Sequence, residues 1–268
     1  MIIFSQTIKN KTMIKKLLFV LLVSSTFAHA QVYQTYSMLF VRVEGDQNAF
    51  EELQDKYMVR AAQAAVDKGE IAFWAFLRHV NFDYINDENN YNYVFVQSNK
   101  DIDALLSDRN KWWTRNDAFF SNEEQAAIEA LEEKFTWAAD TQMIFVDETS
   151  IALGLGTHIQ FNFAKPENIN AFIEANKNVW RPHFEKIMSE IGMLNWGVGR
   201  SLGPWGKDYP TVSTWDMFDS LENLMKYRIG HPLPESVLEQ VARGEAGGPV
   251  NWMAQLIFEA KNFAVAAP

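Results

Sequence analysis

From Met38 onward the hydrophobic pattern switches repeatedly between short strand-like runs and longer stretches with helical spacing. Met38–Val43 reads as a strand. After it Phe50, Leu53, Tyr57, Ala61 and Ala64 recur at helical intervals, with Asn48 and Glu51 spaced as a capping box and Gly69 as a stop. Ile71–His79 and Tyr93–Gln97 predict two further strands. Ser121 and Glu124, another capping-box pair, head the helical run AAIEALEEKF, and Gln142–Asp147 predicts a fourth strand. The same order then returns. Ile159–Ala164 is a strand, and Phe172, Ala175, Val179, Phe184 and Ile187 mark a helix that stops near Gly192. Met193–Ser201 and Val212–Asp216 are strands, Pro234 opens the helix ESVLEQVARG with Gly244 as its stop, and Leu256–Ala260 is the last strand.

The recurrence extends to residue identities. At an offset of 122, Asn48-Ala49-Phe50 faces Asn170-Ala171-Phe172, Trp74 faces Trp196 and Arg78 faces Arg200. Tyr93-Val94-Phe95-Val96 answers Val212-Ser213-Thr214-Trp215 after a small deletion, and strand Met38–Val43 is set against Ile159–Ala164. Each copy therefore reads βαββαβ, the ferredoxin-like unit. The fold class expected is α+β: two tandem ferredoxin-like repeats, over residues 31–150 and 151–268, forming a fused dimeric α/β barrel. The bare sheet faces are expected to close on each other and enclose a space between two sheets.

This arrangement resembles the dimeric α/β-barrel superfamily in its tandem form. The stretch TWDMFDSLENLMKYR is similar to the strand-then-helix segment of NIPSNAP-like members, and NVWRPHFEKI followed by GMLNWGVGR resembles their first helix and second strand. The resemblance implies either a small-molecule-binding module or an enzyme like the antibiotic-biosynthesis monooxygenases. Those enzymes oxidise aromatic substrates without a metal, using Asn, Trp, Arg and Tyr in an apolar pocket. Asn195, Trp196 and Arg200 supply similar residue types, although adjacent Asn195 and Trp196 must point to opposite faces of a strand. Haem-binding members require an axial histidine in the second half, where His183 or His231 could serve. The GxxDG signature of the dye peroxidases is absent, and no cofactor is expected.

Alternation assigns Ile159, Phe161 and Phe163 to the helix side, and His158, Gln160 and Asn162 to the enclosed space or solvent. Trp74 with Arg78, and Trp196 with Arg200, each share one strand face. They could sandwich a planar anionic or aromatic ligand; the plainer reading is that Trp fills core while Arg caps the strand end against acids. His183 follows Pro182, whose missing amide should kink the helix in the second copy alone, where the first copy has Arg60. The candidate ligand-binding set is thus Trp196, Arg200, His183, His158, Asn162, Trp74 and Arg78. The acidic loop Asn81–Asn92 lacks the ladder of a calcium-binding loop, and Trp112-Trp113 reads as packing.

Composition narrows the function classes. The chain has 268 residues, net charge −10, no cysteine, and 9 Trp, 20 Phe and 8 Tyr. Absent cysteine excludes disulfides, thiolate metal sites and cysteine nucleophiles. Met13–Gln31, MIKKLLFVLLVSSTFAHAQ, has the basic start, apolar run and Ala28-His29-Ala30 cleavage signal of a secretory signal peptide. Residues 1–30 carry four lysines and no acid, so cleavage after Ala30 leaves net charge −14 over 238 residues. A protein so acidic is not expected to bind nucleic acid, and its mature form contains no stretch long enough to span a membrane. The expected location is an exported one, periplasmic or secreted. The oligomeric state is left open.

Overall fold

The computed structural model describes residues 34–80 and 91–266. The targeting segment and most of the acidic loop lie outside the described residues. Eight strands form the body: β1 (Thr35–Gly45), β2 (Phe73–His79), β3 (Tyr93–Asn99), β4 (Phe135–Ala152), β5 (His158–Pro166), β6 (Met193–Gly203), β7 (Val212–Phe218) and β8 (Val250–Val265). Their order around a closed, wholly antiparallel barrel is β1-β3-β2-β8-β5-β7-β6-β4. Each half contributes four neighbouring strands in the ferredoxin-like order. The halves join edge to edge, β4 on β6 and β8 on β2, so the expected pair of stacked sheets is instead one continuous barrel.

Closure explains the largest departure from the sequence reading. Strands β4 and β8 run for 18 and 16 residues, far beyond the short apolar cores Gln142–Asp147 and Leu256–Ala260. Each must bond a strand of its own half along one edge and a strand of the other half along the opposite edge. Bulges in both seams let the long strands bend around the barrel. An open sheet would leave those edges unpaired.

The barrel interior is aromatic. Phe40 packs against Phe163 and Phe258 with ring centroids 5.8 and 6.1 Å apart, and Phe161 lies 5.9 Å from Phe258. Ile159, Phe161 and Phe163 therefore face inward, away from the helices, and Gln160 and Asn162 lie under the helices. The alternation was legible but its sense was reversed, because in this fold the inside of the barrel is the more apolar of the two layers. Gly197 is fixed by that interior: a Cβ there would meet the Trp215 ring at 2.1 Å.

Helices cover the outside. In the first half they are α1 (Gln47–Leu53), α2 (Val59–Asp67), α3 (Ile102–Leu106), α4 (Asn116–Phe119) and α5 (Asn122–Glu132); in the second, α6 (Ile169–Ala175), α7 (Arg181–Ile191), α8 (Leu221–Gly230) and α9 (Glu235–Ala242). The cap of α1 is Asp46, whose carboxylate accepts from the amides of Asn48 and Ala49, so Asn48 is not the cap. Ser121 and Glu124 do form a capping box, and Gly69, Gly192 and Gly244 take the left-handed conformation at their helix ends. A single π-helical turn interrupts the first helix in both halves, at Gln54–Met58 and at Asn176–Trp180. Those spans differ by the repeat offset of 122, so the irregularity belongs to both halves and Pro182 is not its cause. Pro182 sits at the start of α7, where an amide is dispensable.

Methylating the barrel lining tests this packing. Gly197→Ala drives a Cβ into Trp215, and overpacking of this kind typically costs about 1–3 kcal/mol. Urea denaturation should show a lower midpoint; an unchanged midpoint contradicts the interior placement of Trp215.

Candidate functional site

The outer face of the second half holds a cavity of about 500 Å³ between the sheet and its helices. Its floor comes from the strands: Gln160 and Asn162 on β5, Trp196 on β6, Thr214 and Asp216 on β7, Trp252 and Gln255 on β8. Its wall comes from the π-turn and α7 through Trp180, His183 and Phe184, and from Tyr227 and Arg228 on α8, with His231 in the following loop.

The floor is a hydrogen-bonded polar ring. Asn162 donates to Thr214 Oγ1 at 2.9 Å and to Asp216 Oδ2 at 2.8 Å. Its own amide oxygen accepts from Gln160 at 2.7 Å and from Gln255 at 3.1 Å. Gln160 Oε1 is buried and unbonded. Such a ring satisfies polar groups that would otherwise cost about 1–3 kcal/mol each. Asp216 at its centre is only 4% exposed and has no cationic partner among its hydrogen bonds. Burial pushes its carboxyl up to about 6, against the opposing pull of the Asn162 and Gln160 amides. Burial, and then the Asp216 charge, raises the Tyr227 hydroxyl well above its ordinary value. Burial, then His231 and Lys186, lowers His183 from its ordinary value.

Aromatic rings frame this floor. Phe184 lies 5.0 Å from Trp196 and 6.3 Å from Tyr227, and Trp180 meets His183 edge-on at 6.4 Å. The result is a cleft with ring-shaped walls and a single carboxyl at its base. A carboxyl that titrates near neutrality can accept a proton from a bound hydroxyl or return one to it.

The first half shows what this space becomes without the polar floor. Register around the barrel aligns Ala164–Val212 with Val41–Tyr93, which sets Asn162 against Leu39, Thr214 against Phe95, and Asp216 against Gln97. The strand-one alignment by sequence was therefore two residues out, with the faces preserved. Leu39 and Phe95 are apolar, and the amide of Gln97 is capped by Trp112, whose indole donates to Oε1 at 2.8 Å. Trp112 also meets Trp74 edge-on at 6.3 Å and is buried. Trp112 thus lies over the counterpart floor of the first half.

Of the seven residues singled out by sequence, Asn162, His183 and Trp196 meet in the cavity. Trp74 is core beneath the first half's helices. Arg200 is ion-paired with Glu148 at 2.6 Å and bonded to Asn170, and Arg78 is ion-paired with Glu51 and Glu259. Neither arginine lines the cavity, so the Trp/Arg sandwich does not form. Each instead ties strand two of its half to strand four of the other, as Glu148 belongs to β4 and Glu259 to β8. His158 lines a separate cleft with His79 and Arg78. Asn195 points to the other face, as alternation required, and accepts from the Trp215 indole at 2.8 Å. Sequence reading missed Asp216, although an aspartate inside the strand VSTWDMF was an available signal, since strands are depleted in it.

No protein-family profile and no curated protein matches the sequence. Solved structures do. A candidate monooxygenase from Fusobacterium nucleatum subsp. nucleatum aligns with a TM-score of 0.51 at 13% identity, over 88% of this chain and 95% of that one. A second, from Lactobacillus acidophilus, aligns at 0.51 and 10% identity, over 87% and 96%. This chain has the dimeric α/β-barrel fold in fused form. At such identities the likeness is one of fold. The fused barrel has no helix among its described residues long and apolar enough to cross a membrane, and no cluster of three His, Asp or Glu side chains there to hold a metal. His183 and His231 both reach the cavity.

The raised carboxyl has a stability signature. A neutral Asp216 stabilises the fold fully below the unfolded-state value of 3.8, and that stability is lost as pH rises through about 6. Asp216→Asn, which keeps an oxygen to accept from Asn162, should therefore match the wild type at pH 4 and exceed it above pH 7. A shift of this size corresponds to about 3 kcal/mol. Denaturant midpoints across pH check this, and a variant less stable than wild type at pH 8 contradicts it.

Proposed function

We propose that the second half of this barrel binds a small, partly apolar or aromatic molecule in the cavity over Asp216, with a hydroxyl of that molecule directed at the carboxylate. The observation that supports this most is the divergence of the two halves. One scaffold occurs twice; in one copy an indole covers the floor, and in the other the floor is polar and open. Flat rings suit the aromatic wall that Trp180, Phe184 and Trp196 present to the cavity, and a donor group suits Asp216 above pH 6.

A second reading, a cofactor-independent monooxygenase-like enzyme, is favoured by the same carboxyl. Asp216 would take the proton of an electron-rich phenol, and dioxygen would serve as the oxidant. One experiment separates the two. Tryptophan fluorescence is titrated with hydroxylated aromatics in air-saturated buffer while oxygen is monitored, for wild type, Asp216→Asn and Arg200→Ala. Binding should weaken about 10-fold or more in Asp216→Asn, as expected for losing a charge-assisted hydrogen bond. Arg200→Ala should bind like wild type. Oxygen uptake that disappears in Asp216→Asn selects the enzyme, and binding without uptake selects the module. Equal affinity in wild type and Asp216→Asn contradicts both. The wild-type absorption spectrum should be flat beyond the protein band; a Soret or flavin band contradicts the cofactor-free reading.

We further infer export, on the strength of the basic, apolar and Ala-x-Ala order in residues 13–31. Mass spectrometry of the protein from an exporting host should find Gln31 at the amino terminus outside the cytoplasm. Full-length chain retained inside contradicts export.

A further inference from the structure

A second cavity, of about 590 Å³, opens at one end of the barrel itself, where β1, β2, β5 and β6 begin. It is separate from the cleft over Asp216, which lies outside the sheet, and the two share no lining residue. Its shaft is apolar: Phe73, Ala75, Leu77, Val96, Phe161 and Trp215 face one another across the interior. The connection between the halves crosses the mouth, and its Leu153 and Leu155 are 56% and 41% exposed. Leucines left in water beside an apolar shaft can be covered by a chain-like guest.

The polar groups at this end have one sign. Among the described residues, Asp147 is the only charged one lining the cavity, and no Lys, Arg or His lines it. One oxygen of Asp147 accepts from Ser150 at 2.6 Å, while Oδ1 is shielded and without a partner. Burial raises the Asp147 carboxyl above its ordinary value, against the hydrogen bonds from Ser150 and the Thr149 backbone and the charge of Arg181. Tyr36, 7% exposed, lines the same cavity, and burial and then the Asp147 charge raise its hydroxyl well above the ordinary value. A buried acceptor left unmatched is destabilising, and a donor from a guest would recover that loss. An anionic head would meet repulsion from Asp147, which lines the cavity, whereas Arg181 lies outside the lining.

We propose that the barrel mouth is a second ligand site, for a single-chain amphiphile whose apolar tail fills the shaft between Phe73 and Phe161 and whose hydrogen-bond-donating head, an amine or alcohol, meets Asp147. Fatty acids are selected against by the same carboxylate. This site is independent of the cleft over Asp216, so either can fail alone.

Native mass spectrometry of the whole protein with dodecylamine, dodecanol or dodecanoate, below their micellar concentrations, tests it. The expected result is saturable one-to-one binding of the amine and the alcohol, with dodecanoate weaker by about 10-fold or more. Asp147→Asn should abolish the preference for amine over carboxylate. Ala75→Phe, which fills the shaft, should remove binding of all three, and Asp216→Asn should leave it unchanged. Circular dichroism reports folding, and if Ala75→Phe does not fold, the Asp147→Asn comparison decides. Dodecanoate bound as tightly as dodecylamine overturns the proposal. So does non-saturable binding, no binding, or a preference that survives Asp147→Asn.

Discussion

The pairing of β4 with β6 and of β8 with β2 is the constraint on which everything else in this protein rests. A ferredoxin-like half ends in two open edges, strand two and strand four. Joining each strand four to the other half's strand two removes both edges at once. Ion pairs reinforce the seams, Arg200 to Glu148 at one and Arg78 to Glu259 at the other. Closure leaves the inner face without helices, and rings line it. The outer face is left to the helices, and there polar residues can be buried in a ring of mutual hydrogen bonds without breaking the barrel.

That division of labour lets one half specialise. The inner layer and the seams are shared, whereas the floor of each outer layer lies under its own half's helices, and only the far ends of β4 and β8 reach under the other half's. In the first half Leu39, Phe95 and Trp112 make that layer ordinary core. In the second, Asn162, Thr214 and Asp216 make it polar, and no indole comparable to Trp112 caps Asp216. The π-turn preceding α7 carries Asn176 and Trp180 to the cavity, yet its twin Gln54–Met58 shows that the turn is inherited architecture. What differs between the halves is side chains on a common frame.

Much of the frame was legible from the chain alone. The duplicated βαββαβ order was visible because helix and strand periods are local and repeat at a nearly constant offset. Gly69, Gly192 and Gly244 ended helices because left-handed residues leave a sequence mark. The lengths of β4 and β8 were not legible, since one outer part of each is held by backbone hydrogen bonds to its own half and the other by bonds to the opposite half, and neither needs an apolar pattern. The faces of β5 were misassigned because Phe161 and Phe163 suit either a helix layer or a barrel interior. At the site, Asn162, His183 and Trp196 were identified by residue type, and the structure brings them together. The arginines were overvalued because a repeated Trp-x-x-x-Arg pattern serves a seam as well as a ligand. Asp216 went unremarked because its meaning lies in two amide neighbours, Asn162 and Gln160, on another strand, which no local pattern can show.

The asymmetry of the two outer layers is most directly tested by indole resonances in a ¹H–¹⁵N correlation spectrum, recorded while a small hydroxylated aromatic is added. The account predicts shifts at Trp180 and Trp196 with Trp74 and Trp112 unmoved. Shifts at Trp112 with Trp196 silent would place the ligand in the wrong half and contradict it.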